Sequence, residues 1–165
     1  MSQGYSLKRL TPDDWRLYKQ LRLEALKNTH GAFGGSYDSE SLLADTEWQG
    51  RLVQPGCAFW VLYDQNRPIG MTGVVQAKDS AETTALIASY IHPDYRGKGL
   101  SNFFYKARIE WSKENGYKRI IVSHRASNAA SKAANQKFGF IHTHNESKTW
   151  PDGLTEDNVF YKLDL

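Results

Sequence analysis

Cysteine is nearly absent. Cys57 is the only one in the 165-residue chain, so no intrachain disulfide can form. One cysteine and five scattered histidines match no zinc spacing, and no metal partner is expected. Long apolar runs are missing too. Nothing approaches the ~20 residues of a membrane span, and "MSQGYSLKRL" has no apolar signal core, so the expectation is a cytoplasmic protein with no membrane partner. Nor is there a strong charge of one sign: 21 basic against 18 acidic residues leave a formal +3. That mild excess suits an anionic ligand. It does not by itself point to nucleic acid. A nucleic-acid-binding module, motivated by "KRIIVSHR" and by Lys106, Arg108 and Lys113, has no recognition-helix motif behind it and is disfavoured.

Aromatics are plentiful at 13%, with five tryptophans and nine tyrosines, enough for some to line a pocket. The length favours one domain over 1–165 with a real core. Cys57 itself, in "CAFWVLYD", reads as a small buried hydrophobe.

The order of elements is informative. Tyr5 to Leu10 alternates like a strand. Thr11, Pro12, Asp13 and Asp14 then start a helix whose apolar face is Trp15, Tyr18, Leu21, Ala25 and Leu26. "NTHGAFGGSYDSE" breaks it, and a second helix over roughly Ser39–Val53 carries Leu42, Leu43, Trp48 and Leu52. Strands at Ala58–Tyr63 and Ile69–Ala77 form a hairpin across "DQNRP", and a third covers Thr83–Ile91. Next comes a helix with Leu100, Phe103, Phe104, Ala107 and Trp111 on one face, stopped by Gly116. "RIIVSH" is a short buried strand. A helix from Ser127 or Asn128 turns Ala130, Ala133, Ala134 and Phe138 inward, and Gly139 ends it. Two last strands, about Phe140–Lys148 and Asn158–Leu163, flank "TWPDGLTED". The strand at Thr83–Ile91 and "RIIVSH" should be parallel, because a helix crosses between them.

At that crossover stands "SYIHPDYRGKGLSNFF". Gly97 and Gly99 let backbone curl around an anion at a helix start, and Arg96 and Lys98 add charge. Phosphate is the natural ligand. "RGKGLS" has neither the spacing of a Walker loop nor the third glycine of a dinucleotide fingerprint, for Asn102 stands there.

The stretch resembles the GCN5-related N-acetyltransferase (GNAT) superfamily, whose signature Q/R-x-x-G-x-G/A matches Arg96 and Gly99 and departs at Ser101. "NAASKAANQKFGF" resembles the family's next motif, with Asn128, Ser131, Gly139 and Phe140 in place. The resemblance spans roughly 86–140. It implies an α/β (α+β) fold: a mixed, mostly antiparallel central sheet of about seven strands with a splayed parallel pair, flanked by about four helices. It implies acetyl-CoA as acetyl donor, its pyrophosphate on Arg96, Gly97, Lys98, Gly99, Leu100 and Ser101. The pantetheine arm would pair with backbone at Ser89, Tyr90 and Ile91 and meet Asn128 and Ser131 from the other side.

The expected function is transfer of the acetyl group to a primary amine of a small molecule, protein or peptide, by direct attack in a ternary complex. A homodimer is left open. Many family members have a tyrosine general acid where this chain has Asn135, and an amide cannot deliver a proton at neutral pH. Tyr90, Tyr105 and Ser131 are candidate substitutes. Asn135 therefore also motivates the alternative of a non-catalytic acyl-CoA-binding or sensing domain. His124 or Glu40, or else Glu47, is the candidate base; Glu82 reads as an exposed turn charge. Phe33, Tyr37 and Trp150, beside Asp38, Glu40 and Asp152, would form an aromatic and acidic rim for an amine cation, or equally be packing aromatics and solvated acids.

Overall fold

The computed structural model describes residues 4–29, 33 and 35–165. Strand β1 (Tyr5–Arg9) is followed by a turn of 3-10 helix at Pro12–Asp14 and by α1 (Trp15–Asn28). Thr11 N–H donates to Asp14 Oδ2 at 2.7 Å, tying the helix start. The α1 face expected from the sequence is the buried one.

The single second helix of the sequence reading is in fact two. α2 (Tyr37–Glu40) is capped by Ser36, and α3 (Asp45–Val53) starts afresh after an extended Ala44, with Asp45 and Glu47 at its positive end. Leu42, in the break, is exposed, whereas Trp48 on α3 is fully buried.

The strands β2 (Cys57–Asp64), β3 (Arg67–Gln76), β4 (Thr83–Ile91), β5 (Arg119–Arg125), β6 (Ile141–Thr149) and β7 (Thr155–Asp164) complete a seven-stranded sheet in the order β1-β2-β3-β4-β5-β7-β6. Only β4 and β5 run parallel, with α4 (Ser101–Glu114) crossing between them. α5 (Ala129–Lys137) follows β5. Period-two alternation sorts the core onto the two faces of the sheet. On β2, Phe59 and Val61 pack against α1 and α3 with Tyr18 and Trp48, while Ala58 and Trp60 join Tyr105 and Phe140 on the side of α4 and α5. The inward face of α5 differs from expectation. Its one buried residue is Asn135, flanked by half-buried Ser131, Ala134 and Phe138, while Ala130 and Ala133 are exposed.

Candidate active site

The site begins with an irregularity in β4. Met71 pairs with Tyr90 and Gly73 with Ile87, so Thr72 faces both Ala88 and Ser89. This is a bulge, and Ala88 takes φ 57 to make it. The bulge shifts the alternation by one residue. Leu86 packs on the α4 side and Ile87 on the α1 side; after the bulge Tyr90 faces α1 and Ile91 the α4 side. β4 and β5 pair only over Thr83–Ala85 with Arg119–Ile121. From Leu86 onward β4 has no strand on its β5 side, while β5 continues along β7. The two parallel strands therefore splay, and a cavity of about 990 Å³ opens through the gap.

One end of the cavity is the glycine loop. Gly97 and Gly99 have φ of 75 and 74, a region that side chains with Cβ avoid. A Cβ at Gly97 would meet nothing within 4 Å, and one at Gly99 only Asn102 Nδ2 at 3.8 Å, so the space over the loop is open. Among the described residues, the backbone N–H groups from Gly97 to Ser101 have no acceptor. They sit at the positive end of the 14-residue α4. Arg96 is anchored by Nε donating to the Ile91 carbonyl at 2.9 Å and lines the cavity, as do Leu100 and Ser101; Lys98 is exposed outside it. Across the gap, Asn128 Oδ1 accepts from Ser131 N–H at 3.1 Å and so caps α5, which leaves its Nδ2 to donate elsewhere. A cradle of free N–H groups beside a strand edge with unused backbone groups fits a pyrophosphate joined to an amide-bearing arm.

Deeper in the cavity lie buried polar groups. Tyr105 on α4 donates its hydroxyl proton to Asn135 Oδ1 at 2.5 Å. Asn135 is wholly buried, and its Nδ2 has no partner among the described residues. Burial pushes the Tyr105 hydroxyl pKa up, partly offset by the nearby Arg108 charge. Arg108 is itself fully buried, which pulls its pKa down to about 10. It donates to Ser89 Oγ at 2.8 Å and to the Phe104 carbonyl at 3.1 Å.

The other candidates divide. His124 lines the cavity, but both ring nitrogens are engaged: Nδ1 with the Arg125 carbonyl at 2.7 Å and Nε2 with the Tyr161 hydroxyl at 3.1 Å. Tyr90 lends its backbone to the splayed strand, while its hydroxyl donates to Glu24 at 2.7 Å and accepts from Asn28 at 3.1 Å. Burial, helped by Glu24, raises its pKa to about 12. Phe33 and Trp150 line the cavity; Tyr37 is exposed and does not. Glu40 lies behind the wall, held by Arg22 and Arg51. Burial alone would raise its pKa, but the two guanidiniums outweigh that and hold it below the usual carboxylate range. Asp152 pairs with Arg125, Asp38 and Glu47 are exposed, and Glu82 pairs with Lys118. The acidic rim is not assembled at the cavity. Two of the arginines that do line it were legible as oddities. Arg22 follows Tyr18 by four residues on the apolar face of α1, and Arg108 follows Phe104 by four on α4.

Residues 16–140 match the family model described as Acetyltransferase (GNAT) family. The chain belongs to the GNAT acetyltransferase family. It is 25% identical over 121 residues to a Bacillus subtilis (strain 168) protein with the provisional name [ribosomal protein bS18]-alanine N-acetyltransferase, a match covering 73% of this chain and 78% of that protein. Solved GNAT structures share the fold. An acetyltransferase from Streptococcus pneumoniae superposes with a TM-score of 0.82 at 18% identity, over 98% of this chain and 99% of the other. Salmonella typhimurium yncA, solved with acetyl-CoA, gives 0.77 at 18% identity over 99% and 95%. The GNAT family's acetyl donor is acetyl-CoA, and the free N–H groups from Gly97 to Ser101 and the splayed strand edge are suited to it. Among the described residues there is no cluster of potential metal ligands, and no helix is long and apolar enough to cross a membrane.

Proposed function

We propose that this GNAT protein transfers an acetyl group from acetyl-CoA to a primary amine by direct attack in a ternary complex. The observation that carries the reading is the continuity of the cavity. It runs from the unpartnered N–H groups at Gly97–Ser101, through the β4–β5 gap, to a wall built by α1 and α3 on the opposite face of the sheet. Donor and acceptor can enter from opposite sides and meet in the gap. Acetyl-CoA supplies the activated thioester carbonyl. The amine nitrogen bonds to that carbon, the carbon–sulfur bond breaks with its electron pair going to sulfur, and the nitrogen gives up a proton.

The chain's own groups have assignable tasks. Backbone at Ser89–Ile91, with Asn128 and Ser131 opposite, orients the arm. A backbone N–H near Tyr90, on the gap side of β4, would polarise the thioester carbonyl. Asn135 Nδ2 is a buried donor without a partner, suited to hydrogen-bond a departing sulfur. Tyr105, hydrogen-bonded to Asn135, is the hydroxyl next to the position where the family's usual acid stands, and it serves as acid here. His124 takes up the amine proton only by exchange with the Tyr161 hydroxyl, or water does so instead.

The test is an amine panel with acetyl-CoA, reading released thiol. The alternative, a non-catalytic acyl-CoA sensor, is motivated by Asn135 and by the engaged nitrogens of His124. It predicts CoA binding with no thiol release across the whole panel.

A further inference from the structure

The charged residues lining the cavity are Arg22, Arg51, Arg96, Arg108 and Lys148, and among the described residues no aspartate or glutamate joins them. Positions 1–3, 30–32 and 34 hold no acidic residue in the sequence either. Arg96 belongs to the phosphate end. Arg22 on α1 and Arg51 on α3 stand at the opposite end, on the face where an acceptor would sit. Both bind Glu40: Arg22 through Nε and Nη2 at 3.1 and 3.0 Å, and Arg51 through Nη1 at 2.7 Å. Two guanidiniums on one carboxylate leave a single positive charge on this wall. Arg22 Nη1 has no hydrogen-bond partner among the described residues.

The cluster is a built one. Side-chain exposures are 13% for Arg22, 32% for Arg51 and 8% for Glu40. Arg22 lies over the Phe33 ring at 5.0 Å and Arg51 over the Trp48 ring at 4.7 Å, which fixes both guanidinium planes. A Cβ at residue 35 would come within 1.9 Å of Glu40 Oε2, so glycine there gives the ion pair its room. Glu40, which does not line the cavity, thus holds together two arginines that do, and Arg51 also hydrogen-bonds Tyr18.

A wall of this kind repels a plain ammonium and offers an ordered positive site to a monoanion. We propose that the acceptor is an amine that also bears a carboxylate, a free amino acid, with the carboxylate held by Arg22 and Arg51. The single residual charge matches a carboxylate rather than a dianionic phosphate. Apolar side-chain surface is available on the same wall from Phe33 and Phe59. The proposal rests on the acetyltransferase reading. It selects against a peptide N-terminus, whose α-carbon carries an amide where a free amino acid carries a charge.

The experiment compares matched acceptors with acetyl-CoA: L-phenylalanine, phenylalanine amide and phenethylamine; L-leucine and isoamylamine; and an alanine-initiated peptide. For each acid the expected kcat/KM exceeds that of its uncharged partner by about tenfold to a hundredfold, the worth of one or two charge-assisted hydrogen bonds. In Arg51→Gln the ratio should collapse toward one, through KM for the acid. Arg22→Lys, which keeps the charge on Glu40, is the second variant should Arg51→Gln fold poorly. In parallel, the acids should raise the melting temperature of the CoA-bound protein and the uncharged amines should not. Thiol release with equal rates for acid and amine, or with the peptide preferred, overturns the proposal and leaves the acetyltransferase reading standing. Binding of acids without any thiol release overturns the acetyltransferase reading and leaves the carboxylate site. Neither binding nor turnover of the acids overturns the proposal outright.

Discussion

Gly99 offers a clean separation of fold from donor binding, because a second glycine serves as its control. Gly99 has φ 74 and Gly116, at the far end of α4, has φ 79. A Cβ at Gly116 would meet nothing within 4 Å, and one at Gly99 would meet only Asn102 Nδ2 at 3.8 Å. The intramolecular cost of Gly→Ala at both sites is therefore the same conformational strain, roughly 1–2 kcal/mol. In a chain of this size each kcal/mol shifts Tm by about 2–4 °C, so both variants should melt ~2–8 °C below the parent. Their effects on acetyl-CoA should differ. At Gly116 nothing changes for the ligand. At Gly99 the new side chain joins a loop whose N–H groups from Gly97 to Ser101 have no acceptor among the described residues.

Losing one charge-assisted N–H contact to phosphate costs about 1.5–3 kcal/mol, which is ~10- to 150-fold in affinity. Gly99→Val, with two methyls in the same space, should sit at the upper end. The assay is an acetyl-CoA titration by thermal shift together with KM from thiol release. Equal loss of Tm in the two alanine variants, with donor affinity lost only in Gly99→Ala, is the expected pattern. Unchanged affinity in Gly99→Val would show that the loop does not cradle the pyrophosphate.

CoA and acetyl-CoA at a hundredfold excess over Kd should each stabilise the fold by ~2.7 kcal/mol, dephospho-CoA nearly as much, and NAD far less, because NAD lacks the pantetheine arm. Equal shifts with NAD would reduce the loop to a generic anion nest. Tyr105→Phe should lower kcat ~10²-fold, the lower range for losing a general acid, while Asn135→Ala should cost less than that because an amide positions but does not donate a proton; the reverse ranking would refute the assignment. Glu40 is held below its ordinary pKa, so its ion pairs stabilise the fold above the unfolded-state value, ~4.3, and that contribution is lost as pH falls through the lower folded value. Melting curves from pH 7 to pH 3 should show a Glu40→Gln protein with a shallower acid-side decline; a slope identical to the parent's would contradict the sign.

The legible parts of the sequence were those where one local pattern had one structural solution. The α1 face, the β4 bounds at Thr83–Ile91 and the parallel crossing to β5 follow from periodicity and connection rules. So does the glycine loop, because positive φ beside a helix start has few uses. Less legible was whatever depended on a partner distant in sequence. Glu40 looks like a free carboxylate until α1 and α3 bring Arg22 and Arg51 onto it from 18 and 11 residues away. His124 looks like a base until β7 places Tyr161 against its Nε2, 37 residues on. The bulge at Ala88 has no glycine to announce it, because the surrounding sheet imposes the left-handed backbone there.

These distant pairings also bear on the proton problem. The proposed reaction needs a neutral amine, yet among the described residues no side chain lining the cavity is an unpaired carboxylate, and the lining histidine is hydrogen-bonded at both nitrogens. A strong base is required only where the site stabilises the ammonium form. Here the cavity's fixed charges are arginines and a lysine, and nearby positive charge lowers an amine's pKa. A carboxylate on the acceptor would offset the one residual charge at Arg22 and Arg51, but Arg108, buried beside Ser89 and paired with no carboxylate among the described residues, still lines the gap. In the proposed reaction the same guanidinium would favour negative charge as it develops on the departing sulfur. Positive charge fixed in a buried gap thus does two things for the reaction: it disfavours the protonated nucleophile and it favours the thiolate. A chain with Asn135 where the family often has a tyrosine can therefore remain a catalyst, because the demand on any single proton-transfer group is reduced at both ends of the transfer.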